Sequence, residues 1–132
     1  MGHKFNNDAH RRYLDLLALL GNRWLEIFGG DTDFYSAHYW DLLTTLWEQE
    51  TPMRKTDALA CMKSVRSAHT AGKYLDAAIE AGIVEESGNP KDARSRLVSL
   101  SPDMRRRIDE MLDDAVGQLC DSAEKLAALR SR

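Results

Sequence analysis

Gly82–Pro102, GIVEESGNPKDARSRLVSLSP, is the stretch whose reading decides the fold. Ile83-Val84-Glu85-Glu86 is a short strand candidate, and Arg96-Leu97-Val98-Ser99-Leu100 is a second. Between them Ser87-Gly88-Asn89-Pro90-Lys91-Asp92 is dense in turn-forming residues, so the two strands close into a β-hairpin. Gly82 stops the preceding helix, because glycine takes the left-handed C′ conformation without a Cβ penalty. Ser101-Pro102-Asp103 starts the next helix. Serine caps it, proline needs no N–H at the first position, and the aspartate complements the dipole.

Working back from Gly82, Ala71, Tyr74, Leu75, Ala78 and Ile79 predict a helix over 68–81 with Ser67 as its cap. A short helix through Leu59, Ala60, Cys61 and Met62 precedes it, with Thr56 as N-cap and Asp57 in its first turn. Lys63-Ser64-Val65-Arg66 joins the two, which makes a helix-turn-helix. A helix-turn-helix followed at once by a hairpin is a winged helix. Before it, a helix is expected from Phe34 to about Gln49, capped within Asp31-Thr32-Asp33 and ended by Pro52. Asn7 or Asp8 is expected to N-cap the first helix, which runs to about Phe28, where Gly29-Gly30 stops it; residues 1–7 read as a loose arm.

The first helix is apolar on most of its circumference, which calls for cover on more than one side. After Pro102, the residues Met104, Ile108, Met111, Ala115, Leu119, Ser122 and Leu126 form a seam of the kind that pairs helices. Both features point to a homodimer. The expected fold is mainly α with a small β-hairpin wing, a single domain over 1–132. It comprises a helical dimerisation and scaffold part over 8–50, a winged helix-turn-helix over 53–100 and a C-terminal dimerisation helix over 101–132.

Composition narrows the function. With 132 residues and 43% of them hydrophobic, the chain is long and apolar enough for one compact core. Leu14–Leu20, broken by Asp15, falls far short of the roughly 20 residues of a membrane span, so no membrane association is expected. No basic segment leads into an apolar run at the start, which argues against a secretory signal. Cys61 and Cys120 lie too far apart to make a disulfide framework or metal cluster, and read as inert buried thiols in a reducing, cytoplasmic setting. His38 and Asp41 lack a third ligand, so no metal and no cofactor are expected. The chain has no nucleophile elbow, P-loop, paired-carboxylate motif or CxxC, which argues against an enzyme.

The net charge of −3 conceals a split. Lys+Arg number 4 against 8 Asp+Glu over 1–52, 8 against 6 over 53–100, and 6 against 7 over 101–132. Only the winged segment is net basic, and charge asymmetry of this kind bears on the choice of partner.

Gly82, Ile83, Val84, Asp92, Arg94, Val98, Leu100 and Ser101 together resemble the wing of MarR-type transcriptional regulators. In that family Gly-[Leu/Ile]-[Val/Ile] closes the recognition helix and Asp-x-Arg sits near the tip of the turn. A strand ending Val-x-Leu-[Ser/Thr] then leads into a long helix. The final helical region here is shorter than the two C-terminal helices usual in the family. The resemblance implies a homodimeric regulator, most often a repressor, on a pseudo-palindromic double-stranded DNA site. It also implies a small, often phenolic effector held between the dimerisation helices and the DNA-binding lobe. Seven of the ten aromatic residues fall between positions 24 and 47, and Arg23, Trp24, His38, Tyr39 and Trp40 are the residues expected to hold that effector.

Chemistry assigns the DNA contacts. A recognition helix shows small or polar side chains to the major groove, and Ser67, His69, Thr70 and Lys73 lie opposite its apolar side. A wing needs basic residues to meet the backbone or the minor groove. Lys91, Arg94 and Arg96 supply them, with Arg94 expected in the groove and Asp92 bracing Arg94 or the turn. Arg54, Lys55 and Lys63 could add phosphate contacts. The alternative for the same residues is a winged-helix module that binds another protein and has no DNA target, which the acidic total favours.

Overall fold

The computed structural model describes residues 2–130; Met1 of the expected arm and Ser131 and Arg132 of the C-terminal segment lie outside the described residues. The chain divides into two compact units, one reaching to Gly30 and resuming at Asp109, the other spanning Asp31–Ile108.

The second unit holds the winged element. Ser36 caps helix α2 (Ala37–Glu48), its Oγ accepting from the Tyr39 N–H. The residues expected to cap this helix form a separate turn before it. Asp31 caps a single 3-10 turn, Thr32–Phe34, because its carboxylate reaches the N–H of Asp33 only two residues on. Strand β1 (Met53–Arg54) follows Pro52 directly and was not expected, since two residues carry no alternation. Helix α3 (Lys55–Cys61) starts without a side-chain cap, so Thr56 lies inside the helix and is not its N-cap. Helix α4 (Ala68–Glu80) is capped by Ser67 as expected.

α4 ends in a Schellman arrangement. Gly82 takes φ +75°, its N–H bonds the Ile79 carbonyl, and the Ile83 N–H reaches back to Ala78, both at 3.0 Å. Strand β2 (Val84–Gly88) begins with the next residue, one position later than expected, because Ile83 is occupied by that motif. Strand β3 (Arg96–Leu100) matches expectation. The sheet is antiparallel in the order β1-β3-β2, with Val84 opposite Leu100, Glu86 opposite Val98 and Gly88 opposite Arg96. Met53 pairs with Val98 on the other side.

The core of this unit draws on α2, α3, α4 and the two longer strands. Leu42, Leu43 and Leu46 of α2, Ala58 of α3 and Met62 just after it, Ala71, Leu75 and Ala78 of α4, and Val84, Val98 and Leu100 of the sheet are all buried. α2 packs on α3 and β3 and lies in the same unit as the winged element. Burial of this apolar set is the main stabilising contribution. Helix α5 (Pro102–Ala127) starts here, Ser101 Oγ accepting from the Met104 N–H. The Arg105 guanidinium donates to the carbonyls of Leu46, Trp47 and Gln49, each at 3.2 Å. A cation at the C-terminal end of α2 satisfies carbonyls that the helix itself leaves open.

The first unit comprises helix α1 (Asn7–Glu26) and the part of α5 from Asp109 onward. Asn6 is the N-cap, one residue before the expected position, and its Oδ1 accepts from the Ala9 N–H at 2.9 Å. The arm is not loose at Phe5, which pairs with Arg130 and lies under its guanidinium. Ala9, Leu16, Trp24 and Met111 are buried. By contrast Tyr13, Leu14, Leu17 and Leu19 of α1 and Val116 and Leu119 of α5 are exposed, Leu14 by 62%. Phe5, Ala9, His10, Tyr13, Leu14 and Leu126 line an open, almost wholly apolar cavity of about 440 Å³. Among the described residues no helix is long and apolar enough to cross a membrane.

Candidate nucleic-acid interface

The candidate site is built from α4 and the hairpin. Ala71, Leu75 and Ala78 fix which side of α4 faces the core, and that leaves His69 and Lys73 exposed and Thr70 half-buried on its first turns. Ser67 Oγ accepts the Thr70 N–H at 3.1 Å and donates to Thr70 Oγ1 at 3.3 Å. The Thr70 hydroxyl therefore keeps its own proton for an outside acceptor. Just before this cap, the Val65 N–H bonds the Met62 carbonyl and closes the turn from α3. A cleft of about 340 Å³ opens between the two helices, with Lys63, Arg66 and Ser67 among its lining residues. Arg66, not among the expected contacts, is exposed immediately before the cap of α4.

At the hairpin tip two side chains hold the turn. Asn89 Oδ1 accepts from the Lys91 N–H and Asp92 Oδ1 from the Arg94 N–H, both at 3.0 Å. Backbone bonds from Asp92 to Asn89 and from Ser95 to Asp92 complete it. Asp92 braces the turn through the backbone of Arg94, and the guanidinium of Arg94 is left outside that contact. Such Asx turns order a loop without a hydrophobic core of its own.

The cations sort into two groups. Arg54, Lys63, Arg66, Lys73, Lys91 and Arg94 are exposed and form no ion pair among the described residues. Lys55 and Arg96 are held internally. Lys55 Nζ lies 3.2 Å from Glu86 Oε1 and 3.5 Å from Asp76 Oδ1, and Arg96 Nε lies 3.4 Å from the same Glu86 oxygen. Hydrogen bonding from the Lys55 ammonium, supported by Arg96, holds the Glu86 carboxyl below the usual carboxylate range. Lys55 is thus not a free phosphate contact, and Glu86, unmarked in the sequence, is the centre of a charge cluster.

The residues expected to hold an aromatic effector fall in both units: Arg23 and Trp24 in the first, His38, Tyr39 and Trp40 in the second. Each polar handle among them already has a partner. Arg23 pairs with Asp114 at 3.3 Å, His38 Nε2 meets Ser36 Oγ at 3.1 Å, and the Tyr39 hydroxyl donates to the Tyr74 carbonyl at 2.8 Å. His38 also stacks on Tyr74 with ring centroids 3.8 Å apart. Tyr39 is buried and its phenol is pushed up to about 12, first by burial. Trp24 is buried and Trp40 exposed. An effector using these handles would have to displace their internal partners.

Cys61 is half-buried, its Sγ donates to the Ala58 carbonyl, and burial pushes its thiol up. Cys120 is exposed, contrary to expectation, because α5 turns that position to solvent. Among the described residues no three histidine, cysteine or carboxylate side chains gather as a metal site would need.

No family model and no curated protein matches the chain. Solved structures do. AbsC, a MarR family transcriptional regulator from Streptomyces coelicolor, is 18% identical with a TM-score of 0.54, over 89% of this chain and 80% of that one. Overoxidised AbfR bound to DNA is 18% identical with a TM-score of 0.52, over 90% of this chain and 82% of that one. Reduced AbfR bound to DNA is 16% identical with a TM-score of 0.51, over 92% and 85%. This chain has the fold of the MarR-type winged-helix regulators.

Proposed function

We propose that the chain acts in the cytoplasm as a homodimeric, sequence-specific DNA-binding transcriptional regulator, most simply a repressor that occludes a promoter. α4 would enter the major groove with Ser67, His69, Thr70 and Lys73 toward the bases and phosphates. The hairpin would lie on the flanking minor groove with Arg94 inserted. The observation that carries this is the set of cations left without protein counterions. Arg54, Lys63, Arg66, Lys73, Lys91 and Arg94 are exposed, without ion pairs among the described residues, on one winged unit. Polyanion binding releases counterions from such groups and from the phosphates alike. The apolar residues exposed on α1 and α5 support self-association, and two-fold symmetry then gives a pseudo-palindromic site with half-sites about one helical turn apart.

Selection of bound duplexes from a random pool, followed by salt-titrated binding, tests the proposal. The expected outcome is a palindromic consensus bound at about nanomolar affinity, weakening steeply with salt. A pool that yields no consensus, with a folded protein, overturns it in favour of a protein-binding winged module.

A further inference from the structure

Glu86 sits where three elements meet, and one carboxylate oxygen serves them all. Its Oε1 takes Lys55 Nζ from the start of α3 at 3.2 Å and Arg96 Nε from β3 at 3.4 Å. Lys55 continues the chain to Asp76 in the middle of α4 at 3.5 Å. The run Asp76–Lys55–Glu86–Arg96 therefore links α4, α3, β2 and β3. The side chains of Glu86 and Lys55 are 25% and 30% exposed, which is dry enough to strengthen the pairs and wet enough to avoid a large desolvation penalty.

We propose that Glu86 is a positioning residue for DNA recognition, holding the hairpin at a fixed setting relative to α4. This rests on the DNA-binding role proposed above. Glu86 itself is an acid beside a surface meant for phosphates, so its charge opposes binding to any DNA. Its pairing with Lys55 and Arg96 offsets that repulsion in part and ties the hairpin to α3. Arg96 is turned back toward β2 by this bond, so it is a strut of the hairpin, whereas Arg94 at the tip stays free. Specific recognition needs the helix and the wing to contact their grooves together. Non-specific binding needs only cations near phosphates.

The two contributions separate in a Glu86→Gln variant of the full-length chain. Affinity for random-sequence duplex should rise, because a negative charge is gone. Affinity for the selected site should not follow, so the ratio of specific to non-specific affinity falls by about tenfold, the size of coupling typical of residues in one network. A Lys55→Gln variant should lower the same ratio, and the double variant should lower it no further than the single ones. If both affinities rise by one common factor in Glu86→Gln, the carboxylate acts by charge alone and the proposal is overturned. Thermal melting checks the fold. Should Glu86→Gln fail to fold, Glu86→Asp keeps the charge but draws the carboxylate back, and the proposal stands or falls on whether its ratio drops. A wild-type chain that selects no sequence overturns the DNA-binding role and this proposal with it. A wild-type chain that selects a site while Glu86→Gln keeps the ratio overturns the role of Glu86 alone.

Discussion

The hydroxyl of Tyr39 in α2 donates to the backbone carbonyl of Tyr74 in α4, 2.8 Å away and 35 positions along the chain. The bond fixes α4 against α2 at its midpoint. Its removal in Tyr39→Phe keeps the ring and deletes only the O–H, so unfolding free energy should fall by about 1 kcal/mol. Denaturant titration measures this, and an unchanged midpoint would show that the bond contributes nothing net.

Gly82→Ala isolates backbone strain. A Cβ at this position would have no atom within 4 Å, so the φ of +75° is the whole obstacle. The cost should be about 1–2 kcal/mol, the penalty of the left-handed region for a residue with a side chain. Gly72→Ala in α4 is the control, since its added Cβ also meets nothing, and it should be neutral or stabilising.

Stability should fall with acid in two stages. Burial lowers the pKa of His38 from its ordinary 6.5, partly offset by Asp41, so the unfolded chain binds the proton first. The stability this histidine contributes is present above 6.5 and is lost as pH drops toward its lower native value. Glu86 has a native pKa lowered from 4.5, so its contribution is complete above 4.5 and disappears as pH falls through that lowered value. Urea midpoints followed from about pH 7.5 to about pH 3 should show both declines. His38→Gln should flatten only the upper one.

On the proposed DNA role, Arg94→Ala should cost roughly 1–3 kcal/mol in specific binding if the guanidinium reaches a base edge or groove. Lys73→Ala should weaken binding to all sequences and reduce the salt slope by about one. Competition titrations at two salt concentrations distinguish the effects, and unchanged affinity in both variants would place the interface elsewhere.

Self-association should rest on the apolar residues that α1 exposes. Leu14 is 62% exposed, so Leu14→Glu costs the isolated chain little. Light scattering at about micromolar concentration should report a dimer for the wild type and a shift toward monomer for the variant, the affinity range where a few buried contacts decide assembly.

The winged element was legible because its signals are local. A run dense in turn formers, from Ser87 to Asp92, marks the hairpin, Gly82 ends α4, and Ser67 and Ser101 are caps whose partners lie three residues on. What escaped depends on partners distant in sequence. β1 is a strand only because Val98 and Leu97 lie beside it. Lys55 looked like any surface cation until Asp76 and Glu86 were brought to it from 21 and 31 positions away. Tyr39 looked like a handle for a ligand, since no one-dimensional pattern reveals that the Tyr74 carbonyl stands opposite its hydroxyl. Helix starts shifted where several capping residues compete, by one residue at Asn6 and by three at Ser36.

The junction at Gly82 has a mechanical consequence. α4 and β2 are separated by three residues, and the N–H groups of all three are tied back into the helix, so little slack exists between them. A rotation of α4 about its axis must swing the hairpin like the arm of a crank. On the proposed DNA role, and with the Glu86 cluster holding the hairpin, the two would meet a duplex together, so groove width and helical twist would be gauged as a pair. Sequence steps that resist the required twist would be rejected at base pairs that no side chain touches.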